Sequence, residues 1–332
     1  MTKQNFEITS SPTPTQWDEL CHASHTGSYF QTKACYDFYG KLSFLEPFVY
    51  AVQKDGELQA LVCGYIVASQ HFALQYFSRR AIVPGGLLIR ENCAAEAIAY
   101  LLTHLKNQLQ NKVIYIEMRN FNDYSAWKST FEQVGFAYQA HYNVQNSLIA
   151  ENEPSIEAHF GEEKQRQIKK SKAQGTTCAL AHSEEEIIEF YHLLSDFYRK
   201  EIRLPLFPLE FFVNLQREKN ADILLVKNNS EIIGGIVMVY NHATAYEWFV
   251  CGKKNSKHYP SVVATAAGIA HAYQKGLQKF DFMGAGNERE KQGVRNFKLR
   301  FGGDLVEQGR FLYICQPILY KVGKKAIQII TK

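Results

Sequence analysis

The chain has 332 residues, 46% of them hydrophobic and 21% charged, the proportions of a folded globular protein rather than a disordered or fibrous one. Its 37 basic and 33 acidic residues leave a formal charge of +4, too mild for a protein that coats nucleic acid and enough for local anionic sites. The seven cysteines are odd in number and scattered, with no CxxC or Cys/His cluster, so neither a zinc site nor a disulfide framework is supported. The first residues lack the apolar core of a signal peptide, and no apolar run is long enough to span a bilayer; a cytoplasmic protein is expected.

In the first half, a strand near Phe6–Thr9 precedes helices at Pro14–His22 and Lys33–Lys41. Pro47–Gln53 and Leu58–Ala68 read as a hairpin around Lys54-Asp-Gly56, a strong turn signal. Strand-like sequence follows at Phe72–Tyr76 and Gly86–Ile89. A long helix over Ala94–Gln110 leads into a strand at Val113–Met118, a helix around Ser125–Gln133 and a closing strand at Tyr138–Ile149.

After the acidic linker Ala150-Glu-Asn-Glu-Pro154, the second half repeats this order. A basic helix over Pro154–Gln174 and a strand at Thr177–Ala181 come first, then helices at Glu184–Lys200 and Pro208–Lys219. Strands at Ile223–Lys227, Ile232–Tyr240 and Tyr246–Gly252 lead to a helix at Ser261–Gly276, a strand at Phe280–Met283, a helix at Arg289–Arg300 and a strand at Leu305–Ile314. Both late strands follow alanine-rich helices, which points to an ancient duplication. The expected class is α/β (α+β), in two domains at 1–150 and 151–332. Each is a mixed, mainly antiparallel sheet flanked by helices; the regular βαβ alternation of a Rossmann domain is missing.

Chemistry-bearing residues cluster late in the chain. On the Arg289–Arg300 helix, Val294, Phe297 and Phe301 form an apolar stripe for a core, and Lys291, Arg295 and Lys298 form a cationic stripe. That stripe reads either as a solvated face or as a dock for a phosphate-bearing substrate. Asp281, between Phe280 and Phe282, and Glu247, between Tyr246 and Trp248, are candidate proton acceptors, with a structural hydrogen-bond role as the alternative for Asp281. Arg166 and Lys169 share one face of the basic helix, and Arg79-Arg80 precede Pro84-Gly85-Gly86, where glycine would let the backbone approach a ligand. Lys253 lies in a lysine-rich loop before a helix N-terminus, a phosphate site or a plain surface loop. The tail from Pro317 to Lys332 mixes apolar residues with lysines and reads as a packed helix or as a peripheral contact with an anionic membrane.

Asn296-Phe-Lys-Leu-Arg-Phe-Gly-Gly303 after Asp281-Phe-Met-Gly284 resembles the C-terminal signature of the Fem aminoacyltransferases, and weaker pieces agree in order: Phe30-Gln31-Thr32, Ile82-Val-Pro-Gly-Gly86 and Arg166-Gln-Ile-Lys-Lys-Ser-Lys-Ala-Gln-Gly175. The resemblance spans roughly Phe6 to Ile314 and implies two tandem GNAT-like domains. It implies transfer of an aminoacyl or acyl group to an amine of a cell-envelope precursor such as a peptidoglycan stem peptide. Aminoacyl-tRNA or acyl-CoA would be the co-substrate, with no permanently bound cofactor and no metal. By the same resemblance Phe297 and Lys298 form the donor-side pair; Lys298 and, from the need for a proton acceptor, Asp281 and Glu247 are the catalytic candidates. Arg295, Arg79, Arg80, Arg166, Lys169, Lys253 and Tyr246 are the binding candidates. Implied partners are tRNA and a nucleotide- or lipid-linked precursor. An acyl-CoA-dependent enzyme of polysaccharide or lipid synthesis and a non-catalytic RNA- or precursor-binding module remain the alternatives.

Overall fold

The structure, a computed structural model, describes residues 5–68, 78–149, 156–241, 243–287 and 292–330, with side chains to residue 325. The expected strand at 72–76, the linker at 150–154 and Lys291 lie outside these residues. Contacts divide the chain into two units, 1–141 with 307–332 and 142–306, which draws the boundaries differently from the expected 1–150 and 151–332.

The first unit opens with β1 (Glu7–Thr9), α1 (Pro14–His22) and α2 (Lys33–Gly40). Thr13 and Gln16 cap α1 reciprocally, and Pro14 occupies its first turn, where a missing N–H costs nothing. The hairpin β2 (Leu45–Lys54) and β3 (Glu57–Val67) turns at Asp55 and Gly56, whose φ angles of +52° and +81° are those of a tight hairpin turn. Then come β4 (Arg80–Gly85), β5 (Leu88–Ile89), α3 (Ala95–Leu109), β6 (Tyr115–Asn120), α4 (Lys128–Gln133) and β7 (Ala137–Gln139). Ile98, Leu101, Leu102, Leu105 and Leu109 form the buried face of α3, which lies against β2 and β3 in a core shared with Ile116 and Met118 of β6.

The second unit holds β8 (Tyr142–Ser147), α5 (Glu162–Ala173), β9 (Thr176–Leu180), α6 (Glu184–Phe197), α7 (Leu209–Gln216), β10 (Ala221–Asn228) and β11 (Glu231–Asn241). It continues with β12 (Thr244–Gly252), α8 (Pro260–Gln274), β13 (Lys279–Gly284), α9 (Gln292–Leu299) and β14 (Asp304–Glu307). The chain then returns to the first unit with β15 (Arg310–Ile314) and α10 (Pro317–Ile330).

The two sheets have the same plan. The first runs β1-β2-β3-β4-β6-β15-β7 and the second, read from its far edge, β9-β10-β11-β12-β13-β8-β14. In each, one parallel pair (β4 with β6, β12 with β13) interrupts antiparallel pairing. Each sheet also takes a strand from the other end of the sequence at the corresponding position: β15 between β6 and β7, and β8 between β13 and β14. The expected strands Tyr138–Ile149 and Leu305–Ile314 are therefore each two strands in two sheets. The second breaks at Gly309, which takes a φ of +68°.

Candidate active site

The site grows from the parallel pair of the second unit. Register holds for Thr244–Lys279, Ala245–Phe280 and Tyr246–Asp281 and pairs no residues beyond them. One residue on, β12 carries a bulge at Trp248, since Phe249 pairs with Val237 but Glu247 with Met238. On the other side, β13 slips against β8 between Asp281 and Gly284, with Met283 at a φ of +58°. Both strands thus leave regular pairing at one level, and a bulge at such a place re-aims side chains. Carbonyls released there need new donors.

Lys298 supplies them. From α9 its Nζ donates to the Phe282 carbonyl at 2.5 Å and to the Gly284 carbonyl at 3.0 Å, with the residue only 8% exposed. The expected faces of this helix are corrected here. Lys298, placed on the cationic stripe, is the buried residue, whereas Val294, placed in the core stripe, is 40% exposed. Arg295 folds back along the same helix, donating to the Ala285 carbonyl at 3.4 Å and to that of Asn287, with its guanidinium 5.0 Å from the Tyr142 ring centre. Phe297 is half-buried and packs edge-on against Phe301 at 5.3 Å.

Glu247 is buried beside this group. It turns toward α8, where Thr265 Oγ1 donates to its Oε2 at 3.2 Å. Burial pushes its carboxyl up to about 7, against the opposing pull of Lys298 and the Thr265 hydrogen bond; the nearby Asp281 charge adds to the rise. A carboxyl poised there exchanges a proton at neutral pH. Asp281 turns the other way from the Phe280 and Phe282 core. Gln145 Nε2 at 2.8 Å, the Met283 N–H at 2.6 Å and Asn143 Nδ2 at 3.3 Å all donate to it. Burial raises its pKa and these donors oppose the rise. Its carboxylate is thereby committed to fixing the left-handed Met283 turn. Tyr246, its register partner, is buried on β12.

The other candidates lie apart. Arg166 and Lys169 are exposed on α5. The buried lysine of that helix is Lys164, whose Nζ sits 4.4 Å from the Phe297 ring centre and whose pKa burial lowers. Lys253 pairs with Glu231 on the rim of a cleft of about 350 Å³, lined also by Lys254, Ser256, Tyr259 and Ser261 at the start of α8. Lys254 pairs in turn with Glu201, which also lines the cleft, at 2.9 Å, so both lysines are neutralised there and only the start of α8 favours an anionic group.

Arg79 and Arg80 belong to the first unit, where Arg79 pairs with Glu46 at 2.7 Å and Arg80 donates to the Ser78 carbonyl at 3.4 Å. The space beside Gly85 and Gly86, expected to admit a ligand, is filled by Ser28, Gln31 and Tyr124 side chains. Sequence reasoning passed over Thr265, Lys164 and Gln145. Lys164 could have been found as the one lysine of its helix spaced with Ile168 and Ser171 on a buried face; Thr265 and Gln145 carry no such signal. Among the described residues no group of three or more His, Cys, Asp or Glu could hold a metal ion.

The fold has counterparts among known proteins. Residues 161–292 match the family model of the acetyltransferase (GNAT) domain. No curated protein sequence matches the chain. Among solved structures, FemX is similar with a TM-score of 0.71 at 15% identity, over 95% of this chain and 99% of that one. The C-terminal domain of a putative lysylphosphatidylglycerol synthetase from Agrobacterium fabrum gives 0.60 at 9% identity, over 95% and 96%. A tandem GNAT protein from the clavulanic acid biosynthesis pathway gives 0.59 at 11% identity, over 94% and 99%. At these identities the likeness to the solved structures is one of fold.

The class so defined is an acyltransferase built from two tandem GNAT-like units. The resemblance to the Fem and GNAT-like acyltransferases read from Asp281 to Gly303 extends, as fold, over nearly the whole chain.

Proposed function

We propose that the protein is an N-acyltransferase of the cell envelope. It would transfer an aminoacyl or acyl group from an activated ester or thioester to an amine of a precursor such as a peptidoglycan stem peptide. The observation that carries this reading is the buried Lys298 and Glu247 at the opening of β12 from β13. In the proposed reaction, the acceptor nitrogen attacks the acyl carbonyl and a tetrahedral oxyanion forms. The C–O or C–S bond to the donor then breaks, and the nitrogen loses a proton. The Lys298 ammonium, held rigidly by two carbonyls, offers positive charge to the oxyanion or to the donor's phosphate; one such preorganised donor is worth about 3–4 kcal/mol of barrier. Glu247, near 7, takes the proton. Asp281 acts through the Met283 turn and is a positioning residue.

The Fem-like signature over Asn296–Gly303 favours aminoacyl-tRNA as donor. The match of residues 161–292 to the acetyltransferase (GNAT) domain keeps acyl-CoA as the alternative donor. Either donor is cytoplasmic, and we place the enzyme there. The test is transfer of label from charged tRNA to a crude envelope-precursor extract, with and without RNase, beside a labelled acetyl-CoA reaction. RNase-sensitive transfer supports the first donor, and label from acetyl-CoA alone supports the second. Tight, salt-sensitive tRNA binding with no transfer from either donor would instead mark a binding module.

A further inference from the structure

We propose that α10 is a membrane-seating helix that holds the protein on an anionic bilayer surface. Its inner face is already used: Leu319, Tyr320 and Gly323 are half-buried, and the Tyr320 ring meets Tyr115 of β6 edge-on at 5.4 Å. One turn apart on another face stand Ile318 and Val322, 79% and 61% exposed, the two most exposed large apolar side chains among the described residues. Packing within the unit does not account for them. A lone exposed isoleucine needs no explanation, but an exposed i, i+4 apolar pair bordered by cations has the form of an interfacial helix.

The cations are Lys321, Lys324 and Lys325, all exposed. At 100° per residue, Lys325 falls beside Ile318, with Lys321 next along the same flank. From Pro317 to Lys332 the sequence has four lysines and no aspartate or glutamate. Lysines so placed can lay their stems along the apolar strip and raise their ammonium groups to lipid phosphates. Among the described residues no helix is long and apolar enough to cross a membrane, so the contact is peripheral. The charge chooses the occupant. A second copy of this helix would bring like charges together, and nucleic acid would leave Ile318 and Val322 without an apolar partner.

This inference does not depend on the reaction proposed above, because it is tested without donor or acceptor. The whole chain is sedimented with vesicles of phosphatidylcholine alone, and of phosphatidylcholine and phosphatidylglycerol in equal parts, at low and high salt. Binding is expected only to the anionic vesicles, weakening as salt rises. Each lysine at such a surface strengthens partitioning about fivefold, so the Lys321→Gln, Lys325→Gln double variant should bind roughly 25-fold more weakly. Ile318→Ser with Val322→Ser should abolish sedimentation while leaving the unfolding midpoint unchanged, since both side chains are exposed already. Wild-type protein that stays in the supernatant with both vesicles, or variants that bind as well as wild type, would overturn the proposal. A concentration-dependent dimer lost in the serine variant, without lipid binding, would make a second copy the occupant and overturn it equally.

Discussion

Lys298 Nζ lies 2.5 Å from the Phe282 carbonyl oxygen, so a lysine of α9 completes the backbone hydrogen bonding of β13. The same atom lies 3.0 Å from the Gly284 carbonyl oxygen. Structure and chemistry therefore converge on one ammonium, and a variant there has two separable effects. Lys298→Met should cost about 1–3 kcal/mol for each buried acceptor left unsatisfied. Turnover should fall on the order of 100- to 1000-fold if the ammonium serves the oxyanion. Urea unfolding reads the first effect. Single-turnover transfer from labelled donor, with the folded fraction fixed, reads the second. A fully folded variant with wild-type turnover would remove Lys298 from the chemistry.

Glu247 makes the pH prediction. Its folded pKa of about 7 stands above its ordinary 4.5. The stability linked to it is thus fully present below the unfolded value and is lost as pH rises through about 7, by up to about 3 kcal/mol. Activity should run the opposite way, rising through the same range as the carboxylate forms. Glu247→Gln should flatten both curves and lower the plateau rate roughly 100- to 10,000-fold. Paired denaturation and rate profiles from pH 5 to 9 would check this. A rate profile unmoved by the substitution would assign the proton to another group.

Thr265 separates positioning from catalysis. Its hydroxyl donates to Glu247 at 3.2 Å and favours the ionised carboxylate. Thr265→Val keeps the side-chain volume and removes that donor, so the rising limb of the rate profile should move to higher pH with little change in its plateau. A lowered plateau at unchanged pH midpoint would mean that Thr265 only packs.

What the sequence made legible follows from local chemistry. The Lys54-Asp-Gly56 turn, the long helix α3 and the starts of α1 and α8 all depend on near neighbours, and each lies within a residue or two of its expected place. Strand partnership is not local. Tyr138–Ile149 and Leu305–Ile314 carry strand-forming residues and read as single strands, yet each divides between two sheets, because strand propensity does not say which strand lies alongside. The helix at Gln292–Leu299 formed as expected, but its faces were sorted wrongly, for a related reason. Helical spacing sorts residues into faces and put Lys298 on a cationic stripe, solvated or facing a ligand, but the carbonyls freed from β13 hold it buried. The opening that sets this demand comes from the bulge at Trp248, which Tyr246-Glu-Trp248 does not announce. Asp281 was visible as a candidate proton acceptor or structural acceptor, while its commitment to Gln145, Asn143 and the Met283 N–H depended on β8 lying next to β13.

In the first unit, Glu117 is predicted to govern acid stability. Burial alone would raise its pKa, but Arg119 at 2.8 Å and Arg310 at 2.7 Å outweigh that and hold it at about 2. Its contribution is present above the ordinary value of 4.5 and is lost as pH falls through about 2. It amounts to up to about 3 kcal/mol, less what water screens at the more exposed Arg119. Glu117→Gln should weaken the fold at pH 7 and shrink its loss of stability between pH 5 and 2. Urea midpoints across that range would show it, and parallel curves for the two proteins would refute it.

The Gly85-Gly86 corner gives the last test, because it decides between a ligand-approach loop and a packed one. Gly86 has a φ of +79°, and a Cβ there would lie 2.7 Å from Tyr124 Oη and 2.9 Å from Asn120 Oδ1. Tyr124 Oη in turn shares its one hydrogen between the Gly85 carbonyl at 2.8 Å and the Leu87 carbonyl at 2.5 Å. Gly86→Ala therefore meets both a left-handed backbone and a buried hydroxyl that cannot move without giving up its own bonds. A cost of about 2–4 kcal/mol is expected. Tyr124→Phe should cost less, about 1–3 kcal/mol. The double variant should cost less than the two together, because removing the hydroxyl makes room for the methyl group. If Gly86→Ala instead left stability untouched and weakened only substrate binding, the corner would be a ligand-approach loop after all.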